Sequence, residues 1–106
     1  MKRRSLPVTK SRETSALRKL GEALASLRDA TEVRQFLEDL CTPAELEAMV
    51  DRWRVVPLLL AEMPYREIHE RTAVSVTTIG RVARTLEHGT SGYRLAFERL
   101  GHRIGH

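Results

Sequence analysis

A chain of 106 residues has room for one modest core, and 42% apolar residues with no run approaching the ~20 that a membrane span needs predict a soluble globular protein with no membrane partner. Its one cysteine, Cys41, excludes an intramolecular disulfide and the usual cysteine-based zinc site, and the basic start lacks the apolar stretch of a secretion signal, so a reducing cytoplasm is the expected location. The net charge of +4 is unevenly spread: seven Lys or Arg against one Glu in residues 1–19, four basic against nine acidic groups in 20–63, and five against two in 76–106.

Residues 1–12 read as a flexible basic arm, open to a polyanion or simply solvated. Leu17, Leu20, Leu24 and Leu27 then recur at helical spacing, with Glu22 between them, which predicts an amphipathic helix. Asp29 and Glu32 offer a capping box for a second helix whose apolar face is Val33, Phe36, Leu37 and Leu40 and which ends near Cys41. Thr42, Pro43 and Glu45 mark the start of a third: a capping hydroxyl, a proline at the first helical position, and a carboxylate able to reach back to the cap. Leu46, Met49, Val50, Trp53, Val56 and Leu60 continue it, with a bend expected at Pro57.

Residues 64–86, PYREIHERTAVSVTTIGRVARTL, predict two short helices joined by a tight turn. The first opens at Pro64 and turns Ile68 inward; the chain turns at Ala73, Val74 and Ser75, and Ser75 caps a second helix beginning near Val76. Ile79, Val82 and Leu86 form one apolar stripe, leaving Thr77, Thr78, Arg81 and Arg84 largely outside. A helix fits the major groove of B-form DNA, where hydroxyls and guanidinium groups reach base edges and phosphates, so this helix-turn-helix points to DNA. His88 and Gly89 are expected to stop it, the glycine by adopting the left-handed conformation. Tyr93, Phe97 and Leu100 mark a final short helix that Gly101 ends, with HRIGH as a tail.

The expected organisation is all-α: an arm at 1–12, a single six-helix domain at 13–100 with the helix-turn-helix at 64–87, and a tail at 101–106. Wide apolar stripes on the first two helices predict burial against a second subunit, with Leu17, Leu20, Leu24, Val33, Phe36 and Leu37 in the interface of a dimer. The alternative is that these residues form the core of a monomer.

The stretch from Cys41 to Leu86 resembles the heart of the Trp repressor superfamily. Thr42, Pro43 and an acidic stretch open a helix carrying the pair Arg52 and Arg54, and Glu62, Met63, Arg66, Glu67, Ile68, Thr78, Ile79 and Arg81 follow in order. PYREIHE, VTTIGRV and the Gly92-Tyr93 pair are similar to the YerC/YecD-like branch, and the resemblance spans roughly residues 27–94. It implies a Trp repressor-like fold in an intertwined homodimer that sets one recognition helix per subunit into successive major grooves of a palindromic double-stranded DNA operator, as a sequence-specific transcriptional regulator and repressor. Carried over position by position, it implies DNA contacts at Arg66, His69, Val76, Thr77, Thr78 and Gly80. The reading of the motif's outer face and cap adds Ser75, Arg81 and Arg84. Arg66 is expected on guanine, its two parallel donors matching O6 and N7, against an alternative ion pair with Glu62 or Glu70.

The family's corepressor site implies ligand-binding positions at Thr42, Arg52, Arg81 and Thr85, with Asp39, Cys41 and Val82 aligned beside them. Two guanidinium groups suit a carboxylate. Yet Val82 stands where the family repressor has glycine and Asp39 where it has an apolar wall residue, which argues against tryptophan and leaves the identity of a small-molecule corepressor open. The alternative for Arg52 and Arg54 is ion pairing with Glu45, Glu47 or Asp51.

Catalysis needs convergent titratable groups or a nucleophile with an oriented base, and neither can be assembled here. Cys41 ends a helix beside apolar neighbours, and His69 and His88 are isolated; His102 and His106, spaced i, i+4, lie in a glycine-containing tail without a third ligand. No enzyme activity and no metal site are expected. The competing reading is a helical protein-interaction adaptor in a transcription complex that does not itself read DNA. The acidic middle of the chain favours it, and the basic second helix of the motif argues against it.

Overall fold

A computed structural model describes residues 10–104. These form six helices and no strand: α1 (Lys10–Ala25), α2 (Ala30–Leu40), α3 (Pro43–Leu60), α4 (Tyr65–Thr72), α5 (Val76–His88) and α6 (Gly92–Ile104). The stretch read above as one domain divides between Thr42 and Pro43 into two units. Residues 1–9 of the expected arm and 105–106 of the tail lie outside the described residues.

In the first unit α1 begins at Lys10, taking in the last residues of the segment expected as an arm. No proline or glycine occurs between Lys10 and Leu20, so nothing in the backbone keeps Lys10, Ser11 and Arg12 out of the helix. Asp29, extended at φ −154°, caps α2 by accepting the Glu32 N–H. The Glu32 carboxylate accepts the N–H of Arg28 at 2.8 Å, so the box closes one residue ahead of the cap. No residue of α2 is buried. Leu17 is 68% and Leu40 52% exposed, and Leu20, Leu24, Val33, Phe36 and Leu37 are half-buried.

The second unit holds a closed core. Val55 and Val56 of α3, Ile68 of α4, Val74 of the turn, and Ile79 and Val82 of α5 are all at or below 2% exposure. Trp53, Leu58, Leu59, Leu60, Met63, Leu86 and Tyr93 pack around them. Trp53 and Tyr93, with ring centroids 6.4 Å apart, join α3 to the start of α6. Pro57 sits inside α3, where its ring removes one backbone hydrogen bond, yet the helix continues to Leu60. It closes on a paired motif in which Met63 N–H reaches the Leu58 carbonyl and Glu62 N–H the Leu59 carbonyl. Glu62 takes the left-handed position at φ 62° that a glycine more often fills.

Three helix ends are built differently from the sequence reading. Pro64 is the cap of α4 and not its first residue, because its ψ of 147° is extended while its carbonyl already accepts the Ile68 N–H. Gly89 does stop α5, but at φ −85° and not left-handed. What demands glycine there is space: a Cβ would lie 2.7 Å from the Thr85 carbonyl oxygen and 2.9 Å from its Cγ2. Ser91, at φ 73°, supplies the left-handed residue instead. Gly101 does not end α6, which runs through it to Ile104, since glycine permits a reversal without imposing one.

The turn between α4 and α5 carries Ala73 at φ 64°, ψ 6°, with its N–H on the His69 carbonyl. An L-residue with a Cβ is strained in this conformation, whereas glycine is not. Ala73→Gly is expected to stabilise the fold by about 0.5–1 kcal/mol, read as a higher urea midpoint with unchanged slope.

Candidate nucleic-acid interface

The helix-turn-helix is built from α4, the three-residue link Ala73–Val74–Ser75 and α5, all in the second unit. Burial of Ile79 and Val82 turns one side of α5 into the core, and the 3.6-residue period then sends Thr77, Arg81 and Arg84 to the surface. Val76 is 52% exposed, an apolar side chain at the first helical position with no core to meet. Ser75 caps the helix as expected, its Oγ accepting the Thr78 N–H at 3.1 Å. Its hydroxyl hydrogen is given to Thr78 Oγ1 at 3.0 Å. Thr78, half-buried, keeps its own O–H to donate outward.

The link is held by side chains. Thr72 Oγ1 donates to the Ile68 carbonyl at 2.7 Å and accepts the Val74 N–H at 3.1 Å. His69 Nδ1–H donates to the Val74 carbonyl at 2.7 Å, which ties α4 to the residue before the cap of α5. His69 is otherwise exposed, and its Nε2 enters no hydrogen bond among the described residues. His69 therefore braces the turn, a role that no spacing rule in the sequence reveals, because the bond depends on the reversal at Ala73.

Arg66 is exposed and enters no ion pair or hydrogen bond among the described residues. The ion pair on α4 is instead Arg71 with Glu67 at 2.9 Å, so neither Glu62 nor Glu70 holds Arg66. Arg81 and Arg84 likewise enter none of the ion pairs among the described residues. The motif thus presents three guanidinium groups without carboxylate partners. Gly80 is half-buried, and a Cβ there would meet only Tyr65 Cε2 at 3.9 Å, an ordinary contact.

The positions implied for a corepressor divide between the two units. Thr42 belongs to the first unit and is exposed; Arg52, half-buried, lies on α3, and Arg81 is on the outer side of α5. Val82 is 1% exposed, its side chain spent in the core. Thr85 donates to the Arg81 carbonyl at 3.1 Å and lines a cavity of about 270 Å³ with Leu86, Thr90, Ser91, Gly92, Tyr93 and Arg94. Neither Arg52 nor Arg81 lines that cavity. Arg52 and Arg54 also enter none of the ion pairs seen among the described residues, so the pairing with Glu47 or Asp51 left open above does not form.

No His, Cys, Asp or Glu cluster able to hold a metal ion occurs among the described residues, and no ionisable side chain there is buried. No helix among them is long and apolar enough to cross a membrane.

Comparison with known proteins meets this geometry at the level of sequence and of fold. The family described as Trp repressor protein matches residues 15–101. The uncharacterized YerC protein of Bacillus subtilis (strain 168) is 34% identical over 84 residues, which span 79% of this chain and 81% of that one. A TrpR-like protein from Eubacterium eligens ATCC 27750 superposes with a TM-score of 0.78 at 39% identity, covering 88% of this chain and 96% of its own. A candidate Trp repressor from Staphylococcus aureus gives the same TM-score of 0.78 at 28% identity, covering 89% and 96%. Such a family is typically one of DNA-binding regulators and not of enzymes. With its all-α fold, the order of its motifs and these likenesses, the chain belongs to the Trp repressor family, in the YerC-like branch.

Proposed function

We propose that this protein is a sequence-specific transcriptional regulator, acting as a repressor in the cytoplasm, that reads the major groove of a double-stranded operator as a homodimer. The observation that carries the reading is the outer side of the motif: Arg66 on α4 and Arg81 and Arg84 on α5 are exposed without carboxylate partners, and α5, anchored by Ile79 and Val82, also carries the Thr77 and Thr78 hydroxyls. Free guanidinium groups neutralise phosphates and reach guanine edges, while threonine hydroxyls serve phosphates and threonine methyls meet the thymine methyl. His69 Nε2, Ser75, Val76 and Gly80 complete the proposed contact surface.

Support for the homodimer comes from α2, an amphipathic helix without one buried residue, and from Leu17, left 68% exposed on α1. A second subunit covering Leu17, Leu20, Leu24, Val33, Phe36 and Leu37 removes that apolar surface from water. Two copies then present two recognition helices to half-sites about one helical turn apart. Control by a small-molecule corepressor through Thr42, Arg52, Arg81 and Thr85 remains part of the proposal. Tryptophan is not the ligand we assign, because Val82 occupies the place of the family's glycine.

Binding to duplexes selected from a random pool, followed by fluorescence anisotropy, tests these statements. Arg66→Ala and Thr78→Ala are each expected to weaken binding by about 1–3 kcal/mol with the helical circular dichroism unchanged; parent-like binding by both overturns the groove assignment. Gly80→Ala is expected to raise stability by roughly 0.5–1 kcal/mol, since glycine in a helix interior costs about that and the added methyl fits, yet to weaken binding where the duplex approaches the backbone. A variant that is both more stable and binds as tightly takes Gly80 off the contact surface. Added tryptophan is expected to change operator affinity by less than about tenfold, equivalent to ~1.4 kcal/mol, and a larger gain reverses the reading of Val82.

A further inference from the structure

The contact surface proposed above has a neighbour whose chemistry the motif comparison did not single out. Tyr65 is the first residue of α4, and its side chain is 43% exposed. Its ring crosses from α4 to α5: Cε2 lies 3.9 Å from where a Cβ of Gly80 would stand. The ring therefore lies beside Gly80 of α5 and is partly open to solvent, and Arg66 is the next residue along α4.

The phenol hydroxyl makes no hydrogen bond among the described residues. A tyrosine kept for packing alone buries its ring and finds a partner for its O–H. Tyr65 does neither fully. A rigid donor with only two side-chain torsions, held over a glycine, loses little freedom when it meets an acceptor. In a helix-turn-helix docked on a duplex the first helix crosses the sugar-phosphate backbone while the second enters the groove. A donor at the first position of α4, beside Arg66, is then at the height of the phosphates.

We infer that Tyr65 is a DNA-backbone contact: its phenol O–H donates to a phosphate oxygen bordering the groove entered by α5, beside which its ring lies at Gly80. The assignment rests on the DNA-binding reading proposed above. A neutral donor to phosphate adds affinity without releasing a counterion, and it carries no base preference. Tyr65 therefore sets how tightly the protein holds a duplex and leaves the sequence choice to the recognition helix.

Tyr65→Phe in the full chain removes the hydroxyl alone. Anisotropy titrations of parent and variant, on a duplex enriched by the parent from a random pool and on a random-sequence duplex, are run across a salt series with thermal melting in parallel. The expected result is affinity about three- to tenfold weaker on both duplexes, with the salt slope and the melting temperature unchanged. Arg66→Ala, in contrast, is expected to lose its affinity mainly on the enriched duplex. Parent-like binding by Tyr65→Phe overturns the inference while leaving DNA binding intact. A fall in affinity accompanied by a lower melting temperature also overturns it, because the hydroxyl then serves the fold. A parent protein that binds neither duplex overturns the DNA-binding reading and this contact with it.

Discussion

Anchorage of α5 through Ile79 and Val82 is the interaction on which the geometry of the motif depends. A helix of 13 residues is marginal in water by itself, so its rigidity comes from the partners that bury one side of it. Here the partners are Val55 and Val56 of α3, Ile68 of α4 and Val74 of the turn, a cluster without a single buried polar group. Each such side chain contributes roughly 1.5–3 kcal/mol when fully removed from water. Because side chains advance by about 100° per residue, this one anchored stripe also determines which residues face away. The exposure of Thr77, Arg81 and Arg84 is thus a geometric consequence of apolar burial at positions 79 and 82.

The link between the two helices is secured differently, by polar side chains around one strained residue. Thr72, His69 and Ser75 satisfy the backbone groups that the reversal at Ala73 takes out of the helices. Two of these, His69 and Ser75, are among the residues assigned to DNA. Each has one hydrogen-bonding edge committed to the turn, so a substitution there alters the presentation of α5 together with any direct contact. Arg66, Arg81 and Arg84 have no such internal duty, and their loss reports on a ligand more cleanly than the loss of the bracing residues.

Local chemistry made much of this legible from residues alone. Thr42-Pro43 and Ser75 announced the starts of α3 and α5 because caps act through the nearest few backbone groups. Helix ends were less legible. Gly89 is needed for its lack of a Cβ beside Thr85 and not for a left-handed φ, and Gly101 sits inside α6, where packing and propagation outweigh a modest propensity cost. Glu62 closes α3 at a positive φ without any glycine to mark it. The choice between pairing and freedom for Arg66 could not be read either, since Glu62, Glu67 and Glu70 all lie within helical reach; the structure gives Glu67 to Arg71. Tyr65 escaped notice because its meaning depends on Gly80, fifteen positions away and on another helix.

The charge pattern takes on a physical sense once the motif's outer side is known. An adaptor that binds protein has no need to keep Arg66, Arg81 and Arg84 clear of carboxylates, and exposed guanidinium groups are the ones most readily paired by helical neighbours. Of the three carboxylates within the motif, Glu67 is already held by Arg71, Glu70 lies on α4 and enters no ion pair with Arg66, and Glu87 lies in the last turn of α5, at the opposite end from its cap. The α5 positions nearest its start carry no acidic residue at all, so a phosphate approaching there meets hydroxyls, the positive end of the helix dipole and then Arg81. Acidic groups concentrate instead in residues 20–63, on helices that precede the motif and whose apolar sides include the uncovered faces of α1 and α2. Chemistry suited to a polyanion and surface suited to a second subunit therefore fall on different helices, which is the separation a dimeric groove reader requires.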